Sequence, residues 1–134
     1  MSEMGTFTVT IEIENPLRRG ERRSVAGALV DTGAELTMVP RPILEALGIQ
    51  VEKRLRLRTA DGRVAMREIG YALVHAAGTE TNDEVVFGEP GDMVLLGSRS
   101  LEGMNLRVDA REKRLVDAGP IAAAAGPVLA AAGA

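Results

Sequence analysis

Ala28-Leu29-Val30-Asp31-Thr32-Gly33-Ala34 is the stretch on which the reading of this chain turns. An apolar run that ends on Asp-Thr-Gly reads as a strand delivering one carboxylate to a tight loop, with small residues around it. A carboxylate in such a dry setting suits acid/base work on a bound water. The tetrapeptide Asp31-Thr32-Gly33-Ala34 occurs once in a chain of 134 residues. A site built from two such loops would therefore need two copies of the protein.

Working outward, Phe7, Val9, Ile11 and Ile13 alternate with Thr8, Thr10 and Glu12, the period of a half-buried strand. Asn15-Pro16 and Gly20 mark a turn, and Ser24 to Val30 forms a second strand, so a hairpin delivers the chain to Asp31. Leu36 to Val39 reads as a short strand. Pro40-Arg41-Pro42 then opens a helix whose apolar positions are Ile43, Leu44 and Leu47, closed by Gly48. Arg54 to Thr59 and Arg63 to Arg67 flank Asp61-Gly62, the signature of a two-residue type I′ hairpin. Tyr71 to His75 and Glu84 to Phe87 are two further strands around a polar turn at 78–83, and 89–92 is a loop. Met93 to Leu96 is a continuous apolar run, expected to be buried on both faces. Gly97 ends it, Ser98 is the expected N-cap of a short helix through Leu101 and Met104, and Asn105 tolerates a left-handed turn. Leu106 to Asp109 and Arg114 to Val116 make a last hairpin. The tail from Ala118 to Ala134 is Ala/Gly-rich and broken by Pro120 and Pro127.

Composition narrows the function. An apolar content of 46% fits one globular domain, and Phe7, Tyr71 and Phe87 are the only aromatics, so platforms for stacking bases are missing. A net charge of −3 argues against nucleic acid as a partner. Arg18, Arg19, Arg22 and Arg23 are diluted by Glu14 and Glu21 and read as a solvated hairpin tip. The absence of cysteine removes disulfides, thiolate catalysis and Cys-type zinc sites. His75, the single histidine, sits in an apolar strand and reads as structural, so neither metal nor cofactor is expected. No histidine lies near Ser24, Ser98 or Ser100 in sequence, which leaves a serine nucleophile unsupported. Met1-Ser2-Glu3-Met4 lacks the layout of a signal peptide, and no apolar run reaches a membrane span, so a cytoplasmic location is expected, with no membrane partner.

Together with Val94-Leu95-Leu96-Gly97, a short helix and Leu106-Arg107-Val108-Asp109, the Asp31 motif resembles the retropepsin-like (retroviral-type, clan AA) aspartic proteases, in their small prokaryotic single-lobe form. The resemblance runs from Phe7 to Val116. It implies an all-β, single-lobe barrel with one or two short helices, assembled as a two-fold homodimer. Residues 1–117 would form this domain and 118–134 a C-terminal tail. Asp31 would be the catalytic carboxylate, with Thr32 holding the paired loops together, Gly33 admitting the substrate backbone and Ala34 lying beneath the cleft. Thr59, Ala60, Asp61, Gly62 and Arg63 correspond to the flap that closes over substrate. Glu35 stands where retroviral members carry Asp, and Ser98-Arg99 follows Gly97 where they have Arg at once; a Glu35–Arg99 pair would brace the site. The implied activity is that of an aspartic endopeptidase hydrolysing a peptide or protein substrate through a water held by paired Asp31 carboxylates. The alternative is a catalytically silent dimerisation or peptide-binding module of the same fold.

Overall fold

A computed structural model describes residues 6–59 and 61–123. The chain begins with the antiparallel pair β1 (Thr8–Glu14) and β2 (Arg22–Val30). Their alternation sends Ile11, Ile13, Val25, Ala28 and Val30 into the core. The register slips by one between Val9 and Ile11, and there Gly27 takes φ +72°, a bulge conformation open to glycine. Next come β3 (Thr37–Pro40) and the short helix α1 (Arg41–Ala46), with Pro40 as N-cap and Gly48 left-handed just beyond. β4 (Lys53–Arg58), β5 (Val64–Ala76) and β6 (Thr79–Gly88) form a meander. β7 (Leu95–Leu96), α2 (Ser98–Gly103) and the separate hairpin of β8 (Leu106–Asp109) with β9 (Arg114–Asp117) complete the described chain.

The seven-stranded sheet has the order β1-β2-β7-β3-β6-β5-β4, and β1 also pairs with β5. Consecutive strands β2 and β3 do not pair with each other. β7 lies between them, parallel to β2 through Leu29–Leu95 and antiparallel to β3 through Met38–Leu95. The segment 31–36 therefore bridges two strands across the end of a third. The core beneath is aliphatic, with Ile11, Ile13, Val39, Leu44, Val74, Val85 and Leu96 around the ring of Phe87. Each such burial stabilises by roughly 1.5–3 kcal/mol. Among the described residues no helix is long and apolar enough to cross a membrane.

Four expectations need correction. The strands read at 63–67 and 71–75 are one 13-residue strand, β5. Gly70 interrupts the apolar pattern, but it is there for space: a Cβ at this position would lie 2.6 Å from the Gln50 carbonyl oxygen. The type I′ turn sits at Ala77-Gly78, both at positive φ and flanked by the pair Ala76–Thr79, and not within a turn at 78–83. At Asp61-Gly62 the loop is longer: the Thr59 N–H reaches the Arg63 carbonyl, the Gly62 N–H reaches the Thr59 carbonyl, and Gly62 but not Asp61 takes positive φ. Finally, β7 comprises two residues and Met93 is 53% exposed, because the 89–92 turn holds the start of that apolar run outside the core. The expected tail lies largely outside the described residues, as does Met1-Ser2-Glu3-Met4.

Candidate active site

The end of β2 is pinned to β7. Val30 faces Leu96, and the Asp31 N–H donates to the Leu96 carbonyl at 3.1 Å. The chain then folds tightly on itself. The Ala34 N–H donates to the Asp31 carbonyl at 3.1 Å, and the Gly33 N–H donates to Asp31 Oδ1 at 2.9 Å. A carboxylate oxygen that accepts a backbone N–H is fixed in direction. Asp31 is half-buried, while Thr32 and Gly33 at the tip are exposed. Within one chain the expected dry setting is thus incomplete.

The other side of the loop is held by the start of α2. Ser98 and Arg99 donate their N–H groups to the carbonyls of Ala34 and Glu35, at 2.8 and 3.1 Å. These bonds replace a side-chain cap, so Gly97, not Ser98, is the N-cap residue. Gly97 must be small, because a Cβ there would meet the Leu36 carbonyl group at 2.6 Å. Here the Leu-Leu-Gly signature has a steric cause.

Beneath the loop runs a buried chain of hydroxyls. The Gly97 N–H donates to Thr37 Oγ1 at 3.0 Å, Thr37 Oγ1 lies 2.7 Å from Ser100 Oγ, and Ser100 Oγ lies 3.0 Å from Asp83 Oδ2. Ser100 donates its hydroxyl proton to Asp83, so its oxygen accepts from Thr37 and each proton in the chain points toward Asp83. Thr37 and Ser100 have no exposed surface. Sequence reasoning missed Thr37 and Asp83 and weighed Ser100 only as a nucleophile. The available signals were a threonine at the buried position of an apolar strand and a serine on the inner face of a short helix.

Glu35 and Arg99 are both exposed, and their charged groups come no closer than 4.0 Å. Arg99 instead reaches Glu84 at 2.9 Å. Glu84 is also bonded by Lys53, whose ammonium is the main cause holding this carboxyl below its ordinary range. The two segments are thus joined by backbone bonds at 2.8 and 3.1 Å and by the longer Glu35–Arg99 ion pair.

The loop joining β4 to β5 is ordered by its own side chains. Thr59 Oγ1 donates to Asp61, which keeps the Asp61 carboxyl low, and Arg63 adds an ion pair at 3.0 Å. Thr59 is half-buried and Asp61, Gly62 and Arg63 are exposed; Ala60 lies outside the described residues. Among the described residues no hydrogen bond or ion pair joins this hairpin to the Asp31 loop. The link is indirect. Arg67 on β5 makes a two-pronged bond to Asp92 at 2.7 and 2.8 Å and lowers that carboxyl, and Asp92 belongs to the turn leading into β7. Arg41 ties Glu45, Glu68 and Glu89 together while lying 4.8 Å over the Phe87 ring.

His75 is structural in its contacts. Its Nε2 lies 2.8 Å from Oε1 of the buried Glu14, and its Nδ1 lies 3.4 Å from Glu80. The Gly20 N–H, aided by His75 and Arg19 and opposed by burial, pulls the Glu14 carboxyl down to about 2. Glu14, His75 and Glu80 bring three possible ligand atoms within 4.8 Å of one another. Arg19 bonds both glutamates, however, so the protein itself compensates their charge.

Residues 22–103 match the family described as "gag-polyprotein putative aspartyl protease". Among solved structures, a retropepsin-like aspartic protease from Rickettsia conorii is similar at 21% sequence identity and a TM-score of 0.44, covering 81% of this chain and 91% of its own. No curated protein matches by sequence.

Proposed function

We propose that this chain, which belongs to the retropepsin-like aspartic protease family, hydrolyses peptide bonds as a two-fold homodimer whose two Asp31 carboxylates share one water. The observation that carries the proposal is the Asp31 loop itself. Its carboxylate is held by the Gly33 N–H through Oδ1, its backbone is fixed from both sides, and its tip, Thr32-Gly33, is exposed. A loop so firmly built yet uncovered fits a surface that a second copy completes. An isologous contact places the same residue of both chains at the axis.

In this reading residues 1–117 are the protease domain and 118–134 a tail. The β1–β5 pairing supports a barrel-like closure of the sheet. Two carboxylates about 3 Å apart cannot both ionise, so the pair holds one proton. The ionised member takes a proton from water as the water oxygen attacks the peptide carbonyl carbon. The protonated member gives its proton to the carbonyl oxygen. Collapse of the tetrahedral diol breaks the C–N bond: the proton taken from water goes to the leaving amine nitrogen, and one hydroxyl proton of the diol returns to the other carboxylate, so the pair again holds one proton. Thr32 would tie the two loops, Gly33 would admit an extended substrate, and residues 59–63 would cover it by backbone hydrogen bonding. Glu35 and Arg99 have a minor part, through the backbone bond between them.

The test is digestion of an unbiased peptide library from acidic to neutral pH, with Asp31→Asn beside the parent. General acid/base catalysis contributes about 10²–10⁴-fold, and the variant should lose at least that while still folding and dimerising. Equal cleavage by Asp31→Asn refutes the mechanism. A parent that binds peptides as a dimer but cuts none of them establishes the silent module instead.

A further inference from the structure

β4 is the edge of the large sheet, paired with β5 on one side and with nothing on the other among the described residues. The bond from Thr59 N–H to the Arg63 carbonyl sets the alternation of this ladder, so Thr59, Leu57 and Leu55 bond to β5. The N–H and C=O groups of Arg54, Arg56 and Arg58 consequently point to the open edge. The side chains of these three arginines share one face, and all are exposed. Their cross-strand neighbours decide which charges are free. Arg54 faces Glu68 and pairs with it at 3.2 Å, whereas Arg56 faces Met66 and Arg58 faces Val64, neither of which carries charge. Arg58 reaches only the Gly62 carbonyl, at 3.3 Å, and Arg56 makes no ion pair or hydrogen bond through its side chain among the described residues. The opposite face of the strand carries half-buried Leu55 and Leu57.

We infer that β4 is a docking edge for an extended peptide segment of another protein, with acidic residues at alternate positions and apolar residues between them. A strand added to the open edge would satisfy the outward backbone groups of residues 54, 56 and 58. Its alternate side chains would lie beside Arg56 and Arg58, where carboxylates supply the missing counter-charge, and the others beside Leu55 and Leu57. A second copy of β4 does not fit, since it would set arginine against arginine. A nucleic acid would use the charge but not the backbone groups. The inference stands apart from the cleavage reading and uses no residue of the Asp31 loop.

Fluorescence anisotropy tests it, with a labelled ten-residue peptide of alternating Glu and Val, a Lys/Val counterpart and a single-stranded oligonucleotide. Parent and Asp31→Asn should bind the Glu/Val peptide alike, and Arg56→Glu/Arg58→Glu should still cleave the peptide library at the parental rate, which separates this edge from the cleft. Affinity should fall with salt and drop about tenfold or more in Arg56→Glu/Arg58→Glu. N-methylation of the alternate amides that face β4 should abolish binding, and N-methylation of the other set should not; this arm needs no altered protein. Binding unaffected by the charge reversal or by either methylation, or binding of the oligonucleotide and not the peptide, overturns the proposal.

Discussion

The hydroxyls of Thr37 and Ser100 lie behind the Asp31 loop, where they link a half-buried carboxylate, Asp83, to the Gly97 N–H. Removing the Ser100 hydroxyl leaves the buried Thr37 O–H without its acceptor, which typically costs about 1–3 kcal/mol. Ser100→Ala should lower unfolding stability by that amount in denaturant titration, and Thr37→Ser, which keeps the oxygen, should lie closer to the parent. Unchanged stability of Ser100→Ala would remove the relay from the account. The residues of the loop were legible in the sequence because Asp-Thr-Gly after an apolar run is a local signal. The relay was not legible, because it joins positions 37, 83, 97 and 100 through tertiary contacts alone. Glu35 and Arg99, close in pattern, meet only in a long, exposed ion pair at 4.0 Å, while Arg99 bonds Glu84 more closely.

At the scale of elements, the hairpin between β4 and β5 is exposed and closed mainly by its own bonds, whereas the Asp31 loop is bonded to both β7 and α2. Local opening follows such differences in packing. Hydrogen exchange at Thr59, Gly62 and Arg63 should be faster than at Val30 and Asp31, and should slow when a peptide analogue binds. Equal protection at both sites, with and without ligand, contradicts a flap. β1 was legible from its period-two alternation, and β2 and the last hairpin from short runs set between turn residues. The turns were misread where glycine has two meanings. Asp61-Gly62 carries a strong hairpin signal yet forms a longer loop, while Ala77-Gly78, which carries a weak one, forms the two-residue turn. Gly70 marks a close approach of chains rather than a strand end. The placement of β7 between β2 and β3 cannot be seen in any one segment.

For the whole molecule, acid stability depends on the charge cluster joining β1, β5 and β6. The Glu14 carboxyl is lowered from 4.5 to about 2 by Gly20, His75 and Arg19, with Arg22 and Glu80 nearby. A lowered carboxyl stabilises the fold above its unfolded value, and this contribution is lost as pH falls from about 4.5 toward 2. Glu14→Gln should therefore be less stable than the parent at pH 7, with the gap closing over that interval in acid; a gap independent of pH contradicts the assignment. The central claim, that two chains make one active site, is tested most directly by mixing. Parent and Asp31→Asn subunits are exchanged at fixed total concentration, and peptide cleavage is followed against the parental fraction. If each site needs both Asp31 carboxylates, activity follows the square of that fraction, and an equal mixture keeps about a quarter of the parental rate. A rate that falls in simple proportion, with about half remaining in the equal mixture, would mean that each chain works alone and would contradict the account.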